Sequence, residues 1–452
     1  MKSDRKAVRA RGEDPGRLAF ILYCLFITSY FLHLGDRIGI LGTLRIDILL
    51  SGSTLLLTMF AARRAPGENA TMDPTGKLLL AICVYVVVTL PFVRWPGSVL
   101  GHGWEPFLKA ACFYYFTVST VTTEKRLKWF LTVFLSIQVF RVLEPLYMHL
   151  TTGYWGSFTN MGNYELMDRL SGSPFDIINP NGLAFVILVC ISLCHSLLGR
   201  GQRRQKLLYL VLLAPLLYAM ALTGSRSGAL VLFIFALMAV WKSKHRALAM
   251  SAVAVMLVVI FMSLSDLERQ RYLSIVDHSA KGAATAEGRV DGIWIDFKVG
   301  MERPIFGHGL GTSLEANANA YGEPKPSHTL YTEVLQELGL IGLAMFLAFM
   351  LQALRNCRIA YRETRSDPTG LLNRTAAGMV DFAILLMIFS VASYGLNEYE
   401  WYLLAGLSVA LRRVVSRSAT SPNAASAPSR SGRAMTARAL AGAGFGTPVR
   451  TG

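Results

Sequence analysis

The sequence predicts an all-α integral membrane protein with about 12 transmembrane helices. The chain is 53% hydrophobic and only 16% charged, with a mean hydropathy of +0.41, whereas soluble domains carry about 25% charged residues. Apolar runs of about 20 residues, the length that a bilayer requires, recur along the chain. Basic residues are also distributed unevenly between the loops that join these runs, which is typical of a polytopic membrane protein.

Two long segments separate the predicted spans: residues 150–179 before the sixth span and 266–327 before the tenth. The second span contains Arg45 and Asp47, and the eighth begins directly after the seventh. In chain order the spans lie near 18–34, 38–60, 77–93, 104–123, 127–149, 180–198, 206–223, 226–241, 246–265, 328–354, 375–394 and 399–415.

The distribution of basic residues predicts the orientation of the chain. Most of the 45 lysines and arginines fall in alternate loops and in the two terminal segments. Because such residues stay in the cytoplasm, both termini are predicted to be cytoplasmic and the segments 151–179, 224–226 and 266–327 to lie outside. The net charge of +16 is therefore attributed to cytoplasmic loops, and no nucleic-acid partner is expected. The first apolar run lacks a small-residue cleavage site, so we interpret it as an uncleaved span.

Five regions follow from this reading. Residues 1–17 are a basic cytoplasmic N-terminus, and 18–265 hold spans one to nine. Residues 266–327 form a long extracytoplasmic catalytic loop, and 328–416 hold spans ten to twelve. The tail 417–452 is rich in Ala, Ser, Gly and Pro with scattered Arg, so we predict that it is disordered.

The loop 266–327 is the main functional candidate, because loops of this length are usually functional. Within it, five apolar residues recur at helical spacing: Val290, Ile293, Trp294, Phe297 and Met301. This pattern predicts an amphipathic helix over 289–302 that lies along the membrane surface and ends before Pro304. Burial of Ile293, Trp294 and Phe297 is expected to anchor this helix and thereby to position Arg289.

Two arginines are candidates for binding an anion. Arg226 lies in a tight turn between spans seven and eight, among small and hydroxyl-bearing residues that include Ser225 and Ser227. Such a turn at a helix start can present N–H groups to an anion while Arg226 binds the same oxygens. Arg289 is the expected second donor, and planar guanidinium groups suit a diphosphate. The alternative is that Arg226 only extends its side chain toward the membrane surface.

His328 is the candidate general base. It follows Ser327, a plausible N-cap, and is therefore expected in the first turn of span ten, where the helix dipole favours a neutral ring that can accept a proton. The alternative is a structural histidine at a helix start. His308 is a rival, but "FGHGLG" indicates turn geometry. Glu333 and Glu337 lie one helical turn apart, and we expect them to face a polar groove because carboxylates are costly against lipid.

Several stretches together resemble the O-antigen ligase and polymerase superfamily of bacterial membrane glycosyltransferases. They are "NPNGLA", "ALTGSRSGAL", "EGRVDGIWIDF", "RPIFGHGLG" and "SHTLYTEVLQELGLIGL", and the resemblance covers roughly residues 175–350. It implies transfer of a glycan from an undecaprenyl-diphosphate carrier to an acceptor hydroxyl at the outer face of the inner membrane, without a metal. The implied partners are this donor, a glycan, lipid or protein acceptor, and membrane lipid.

The resemblance also implies roles for individual residues. Arg226 and Arg289 hold the diphosphate leaving group, and His328 is the base or positions the acceptor. Residues of the same motifs are expected to bind substrate: Ser225, Ser227, Asn181, Arg303 and Glu337. Thr329 and Thr332 depart from the family, which usually has Asn and an apolar residue at these positions. The motifs do not distinguish a ligase from a polymerase.

The residues agree with this chemistry independently of the resemblance. The chain has no D-x-D pair and no H-E-x-x-H motif, so no metal site and no cofactor are expected. A single base opposite a diphosphate leaving group favours direct inverting displacement. Two other classes stay open, a non-catalytic scaffold and a polytopic transporter. The transporter would use the ionisable pairs Arg45 with Asp47 and Arg141 with Glu144, and solute uptake into proteoliposomes would identify it.

Overall fold

The computed structural model describes residues 16–64, 72–161, 165–273, 283–393 and 395–420, which are mostly helical. In chain order the α-helices are α1 (Arg17–Leu32), α2 (Leu34–Arg37), α3 (Gly39–Thr43), α4 (Ile46–Arg64), α5 (Pro74–Thr89), α6 (Pro96–Ser98), α7 (Trp104–Thr120), α8 (Glu124–Thr152), α9 (Pro180–Cys194), α10 (Arg203–Leu222), α11 (Arg226–Lys242), α12 (Arg246–Ser263), α13 (Asp266–Leu273), α14 (Ala283–Glu302), α15 (Ser313–Tyr321), α16 (Leu330–Glu363), α17 (Leu371–Phe389) and α18 (Tyr399–Thr420). The strands are β1 (Gly156–Asn160) and β2 (Leu166–Leu170).

Each predicted span contains a helix of the structure. Within the described ranges, six helical segments are long and apolar enough to cross a membrane, and three shorter helices are also apolar. The second predicted span is broken: Arg45 has a positive φ of 47°, and α3 and α4 lie on either side of it. The total of about 12 spans therefore stays a prediction. The six segments are Pro74–Phe92, Glu124–Thr152, Pro180–Gly199, Arg203–Leu222, Leu330–Glu363 and Leu371–Phe389.

The fold is not purely α-helical, because the segment between α8 and α9 contains a β-hairpin. Strands β1 and β2 pair antiparallel, with Gly156 opposite Leu170. Side chains alternate between the two faces of a strand, and in β2 this alternation buries Met167 and Arg169 while Asp168 stays exposed. The hairpin therefore directs an arginine toward the helices.

Helices α9 and α18 form the interior of the helical assembly. Almost every residue of α9 is buried, and α18 packs along α7 and α16. Helix α9 begins at a capped proline turn, with Pro180 as its first residue. The Asn179 side chain accepts hydrogen bonds from the backbone N–H groups of Asn181 at 3.0 Å and Gly182 at 2.9 Å. This cap fixes Asn181 at the start of a rigid helix.

Helix α14 contains the predicted surface helix, but its apolar side chains do not anchor it in the protein. Trp294 is 59% exposed and stacks on Phe297, with ring centroids 5.5 Å apart. The opposite face, with Gly292 and Asp296, is buried and packs against α16. The expectation that Trp294 and Phe297 are buried in the protein is therefore wrong. An amphipathic helix on a membrane directs its apolar face toward lipid, so the face with small and polar residues is left to contact the protein.

The Gly-rich loop before α15 packs against a kink in α16 at Gly339, where φ is 68°. A kink frees backbone groups, and the loop binds them. The N–H groups of His308 and Gly309 donate to the carbonyls of Gln336 at 2.7 Å and Glu337 at 3.0 Å. A Cβ atom on Gly339 would lie 2.4 Å from the Ile305 carbonyl oxygen. The stretch "RPIFGHGLG" therefore fixes the path of α16 below His328.

Candidate functional site

A cavity of about 690 Å³ contains three of the residues that the sequence singled out, Arg289, His328 and Asn181. Helices α9, α14, α17 and α18 contribute to its wall, together with the segment that precedes α16. Its volume falls within the roughly 300–1,000 Å³ that is typical of ligand sites. The structure thus brings together residues that lie far apart in the chain.

His328 lies just before α16, and the predicted N-cap is wrong by two residues. The cap is Thr329, whose hydroxyl accepts a hydrogen bond from the Thr332 N–H at 3.0 Å. Ser327 has a different use, because its hydroxyl donates to Asp296 at 3.2 Å. Thr329 and Thr332, the two residues that depart from the family pattern, therefore form the N-cap interaction with which α16 begins, directly after His328.

His328 forms a dyad with Asp296 of α14. The ring Nδ1 lies 2.8 Å from Asp296 Oδ2, and the His328 backbone N–H donates to the same oxygen at 2.7 Å. An ionised carboxylate only accepts hydrogen bonds, so the proton of a neutral ring is assigned to Nδ1. Nε2 is then the atom that can accept a proton from a ligand. This arrangement suits a general base.

A polar network holds the Asp296 carboxylate in place, with only 1% of the residue exposed. Asn317 of α15 donates to Oδ1 at 3.2 Å, and Gln336 of α16 donates to the Asp296 backbone carbonyl at 3.1 Å. Gln336 also donates to the Asn317 side chain at 2.9 Å. Three helices thus fix the position of the carboxylate that orients His328.

Asp296 is not among the residues predicted from the sequence, although the sequence contains a signal for it. Gly292, Asp296 and Gly300 are spaced four residues apart and share a helix face opposite the apolar stripe. Gly292 allows the histidine ring to approach, because a Cβ atom there would lie 2.3 Å from His328 Cε1. A carboxylate between two glycines on one face indicates close packing against another element.

Arg226 and Arg289 lie close enough for their positive charges to repel each other. Arg226 is the first residue of α11, and its N-cap Ser225 accepts a hydrogen bond from the Gly228 N–H at 3.2 Å. Arg289 lines the cavity, and burial lowers the pKa of its guanidinium group. The structure therefore places the two predicted arginines in one region.

Two further arginines, which the sequence analysis did not select, belong to the same cluster. Burial lowers the pKa of Arg169 to about 9, with additional repulsion from Arg271, Arg289 and Arg226. Burial and repulsion from Arg226 and Arg289 lower the pKa of Arg271 to about 10. Arginine stays charged at neutral pH, so these shifts mean that the cluster destabilises its own positive charges. A bound anion would relieve that repulsion.

Backbone carbonyls and Asn181 position the two buried arginines. Arg169 Nε donates to the Thr223 carbonyl at 2.8 Å, and its Nη2 donates to Asn181 Oδ1 at 3.0 Å. Arg271 Nε donates to the Gly224 carbonyl at 2.7 Å. These bonds attach the hairpin and α13 to the turn that precedes Arg226. We define Arg169, Arg226, Arg271 and Arg289 as the arginine cluster.

The predicted substrate-binding serines lie beside this cluster. The Ser225 hydroxyl is buried and donates to Asn181 Oδ1 at 2.9 Å, so its proton is already used in a hydrogen bond within the protein. The Ser227 hydroxyl lies 3.4 Å from that of Ser225 and is half-buried. Of these residues, Asn181 is the one that also lines the cavity.

Glu337 and Arg303 do not line this cavity, and the expectation that they bind substrate stays a prediction. The buried Glu337 carboxylate accepts hydrogen bonds from the N–H groups of Gly311 at 2.8 Å and Ser313 at 3.3 Å. Glu333 likewise accepts from the Gly395 and Leu396 N–H groups, so neither carboxylate faces a polar groove. Arg303 donates to the Phe92 carbonyl at 3.0 Å. Buried carboxylates require such donors, and here the backbone of nearby loops supplies them.

His308 is outside the cavity as well. Its side chain is buried, with Nε2 2.9 Å from the Val299 carbonyl oxygen and the ring stacked on Trp95. Burial lowers its pKa, which favours the neutral ring. In the part of the chain that the structure describes, no three His, Cys, Asp or Glu residues are grouped as metal ligands would be.

Comparison with protein families identifies one region. Residues 208–347 match the family described as O-Antigen ligase. The matched region contains Arg226, Arg271, Arg289, Asp296 and His328, whereas Arg169 and Asn181 precede it. The match confirms the resemblance to the O-antigen ligase superfamily, and together with the six apolar helices it points to a membrane protein. A search of curated proteins gives no match to the chain.

Proposed function

We propose that this protein is a membrane glycosyltransferase, because residues 208–347 match the family described as O-Antigen ligase. It moves a glycan from an undecaprenyl-diphosphate carrier to an acceptor hydroxyl at the outer face of the bacterial inner membrane. The reaction is metal-independent and inverts the anomeric carbon. Both termini are cytoplasmic in this proposal, and the loop 266–327 is catalytic.

The observation that carries the proposal is the meeting of two kinds of chemistry at one cavity. The arginine cluster supplies four positive charges that repel one another, two of them buried and two half-buried. The His328–Asp296 dyad supplies a base of fixed tautomer, and both His328 and Arg289 line the cavity. A lipid diphosphate is a good leaving group, so the enzyme needs charge stabilisation at that group and a base at the acceptor.

The proposed step is a direct displacement. The acceptor oxygen attacks the anomeric carbon of the glycan, and its proton passes to His328 Nε2. The bond between the anomeric carbon and the diphosphate oxygen breaks, and its electron pair stays on that oxygen. Arg226 and Arg289 stabilise the charge that develops there. Arg169 and Arg271 are held by backbone carbonyls, and they strengthen the positive potential around the leaving group.

Asp296 is a positioning residue in this step. Its carboxylate keeps the proton of His328 on Nδ1 and stabilises the imidazolium ion that forms when Nε2 accepts a proton. The network from Ser327, Asn317 and Gln336 keeps that carboxylate ready before the substrate binds. Such preorganisation lowers the cost of reaching the transition state.

Ligase and polymerase are two forms of the same proposal, because they differ in the acceptor and share the donor chemistry. The transporter alternative is less well supported. Arg37, not Arg141, pairs with Glu144, and Arg141 binds Asp176 instead. Both are fixed ion pairs, so neither arginine is a mobile charge of the kind that a transport cycle uses.

The test is glycan transfer by the purified full-length protein in detergent, from a defined undecaprenyl-diphosphate glycan and with EDTA present. We expect release of undecaprenyl diphosphate that depends on an acceptor and is lost in His328→Ala. A strict requirement for a divalent metal, or full activity in His328→Ala, would overturn the proposal. Uptake of a solute into proteoliposomes without carrier release would support the transporter instead.

A further inference from the structure

The cavity extends beyond Arg289 and His328 to a second group of polar side chains that the proposed step does not use. This group lies where the end of α1, the middle of α8 and the start of α18 meet, and it lines the same 690 Å³ space. We define this end of the cavity as the acidic end. Its polar residues include Arg141, Asp176, Glu398, Tyr399 and Glu400, together with His33, whose Nε2 lies 3.6 Å from Asp176 Oδ1.

One ion pair at the acidic end is fixed and locally neutral. Arg141 Nε lies 2.6 Å from Asp176 Oδ2, and Nη2 lies 2.9 Å from Oδ1. The third nitrogen, Nη1, donates to Gln138 Oε1 at 2.8 Å. Both charged side chains are almost completely buried. The positive charge of Arg141 is therefore already matched, and this pair forms part of the wall.

Two further carboxyl groups, those of Glu398 and Glu400, line this end of the cavity. Within the described residues, neither Glu398 nor Glu400 forms a salt bridge. Glu398 has a longer-range electrostatic interaction with Arg141. Burial raises the pKa of Glu398, so a nearby positive group would stabilise its ionised form and a nearby negative group would oppose it. The cavity thus has Arg289 and Lys325 in one part of its wall and Glu398 and Glu400 in another.

Aromatic side chains accompany these carboxylates. Tyr30, Tyr399 and Trp401 line the cavity here, and the Tyr30 and Tyr399 rings meet edge to face at 6.4 Å. Aromatic rings offer apolar faces, and carboxylates accept hydrogen bonds from hydroxyl or ammonium groups. A sugar ring presents both kinds of surface. A site that combines aromatic walls with a few convergent polar groups is typical of small-ligand recognition.

We propose that the acidic end is the acceptor-saccharide subsite, and that it selects a neutral or amino-bearing sugar over one that carries a carboxylate or phosphate. The inference rests on the proposed function. In a direct displacement the acceptor approaches the anomeric carbon from the side opposite the leaving group, so it cannot share the arginine cluster. At the acidic end the cation that acts on Glu398 and Glu400 is Arg141, whereas the arginines of the cluster act on one another. Like charges at a binding surface disfavour the wrong partner.

The first experiment compares three acceptors that share one ring: octyl glucoside, its 6-amino-6-deoxy derivative and octyl glucuronide. Transfer from a defined undecaprenyl-diphosphate glycan is measured for each, as kcat/KM with respect to the acceptor. We expect the glucuronide to be worse than the neutral glucoside by on the order of tenfold, since a like charge in a partly buried site costs about one pKa unit of interaction. The amino sugar should equal or exceed the glucoside. Equal or better use of the glucuronide would overturn the proposal.

Substitution of Glu398 links the preference to the acidic end. Glu398→Gln keeps the shape and removes the charge, so the preference over glucuronide should fall to about twofold while the KM for the donor stays unchanged. Glu302→Gln is the matched control, because Glu302 is an exposed carboxylate that does not line the cavity. A preference that survives in Glu398→Gln, or that is lost in the Glu302 variant, would contradict the assignment.

Direct binding separates this inference from the proposed function. The melting temperature of the full-length protein is measured with each of the three glycosides and no donor. Stabilisation by the glucoside and amino sugar but not by the glucuronide, reduced in Glu398→Gln, supports the subsite even if no glycan is transferred. If carrier is released normally but the three glycosides bind equally, the subsite assignment fails and the proposed function stands.

Discussion

Two sets of buried charges in this protein look alike in the sequence but have different surroundings. The carboxylates Glu333 and Glu337 on α16 each accept hydrogen bonds from two backbone N–H groups. In the arginine cluster, burial and the mutual repulsion of the positive charges lower the pKa of Arg169 and Arg271, and Arg289 of this cluster lines the cavity. A buried carboxylate needs local donors, and one that has them away from the cavity can serve the fold alone. Positive charges that gather beside a cavity indicate a site for an anion.

The largest expected effect comes from the base that works beside the arginine cluster. His328→Ala should abolish glycan transfer, because removing a general base commonly costs about 10²–10⁴-fold in rate. Binding of the lipid-linked donor should persist, since the arginines are intact. Transfer and donor binding are measured separately on purified protein. His308→Ala is the control. It should lower the melting temperature and leave kcat close to the wild-type value, because His308 is buried outside the cavity.

The next effect tests whether the cluster binds a diphosphate. Arg289→Lys keeps the charge but loses the planar pair of donors, so kcat/KM for the donor should fall by about a hundredfold. Arg226→Lys should behave similarly. Lys298→Arg on the same helix is a control that preserves charge away from the cavity lining. Wild-type kinetics in both lysine variants would mean that the cluster has another role.

Asp296→Asn tests whether the Asp296 carboxylate sets the tautomer of His328. The amide can donate a hydrogen bond to Nδ1 and thereby leave the proton on Nε2, so kcat should drop by about 10²-fold or more. The KM for the donor should change little, because Asp296 does not line the cavity. Steady-state kinetics over a range of pH check this, and Asp291→Asn on the exposed side of α14 is the control. A loss confined to KM would contradict a positioning role.

Glu337→Gln should affect stability more than chemistry. The amide retains one acceptor for two backbone donors, so about 1–3 kcal/mol of stability is expected to be lost. Carrier release per folded molecule should stay within a few fold of wild type. The measurement combines thermal unfolding with activity normalised to folded protein. A total loss of activity with unchanged melting temperature would assign Glu337 to the substrate-binding set.

The smallest effect on stability is expected for Trp294. Because its side chain is mostly exposed, Trp294→Ala should change the melting temperature in detergent by little, in contrast to the several kcal/mol that a buried aromatic ring contributes. In liposomes the same change should make the loop easier to cleave by protease, since the ring would no longer contact lipid. Equal cleavage of both proteins would show that α14 does not lie on the membrane.

The sequence by itself determined much of this protein. Apolar length predicted helices at each of the proposed spans, and helical spacing predicted α14. Residue chemistry selected Arg226, Arg289 and His328, and the local sequence Asn179–Pro180 accounts for the start of α9. These features are local, because span length, helix periodicity and capping depend on neighbouring residues.

The tertiary structure decided what no local pattern contains. Arg169 lies in a hairpin and Arg271 in a short helix, and only folding brings them to the turn before Arg226. Asp296 reaches His328 across two elements, while Glu337 is turned away to bind the Gly-rich loop. Contacts between distant residues depend on the packing of whole helices, and this packing determines whether a buried charge supports the fold or faces the cavity.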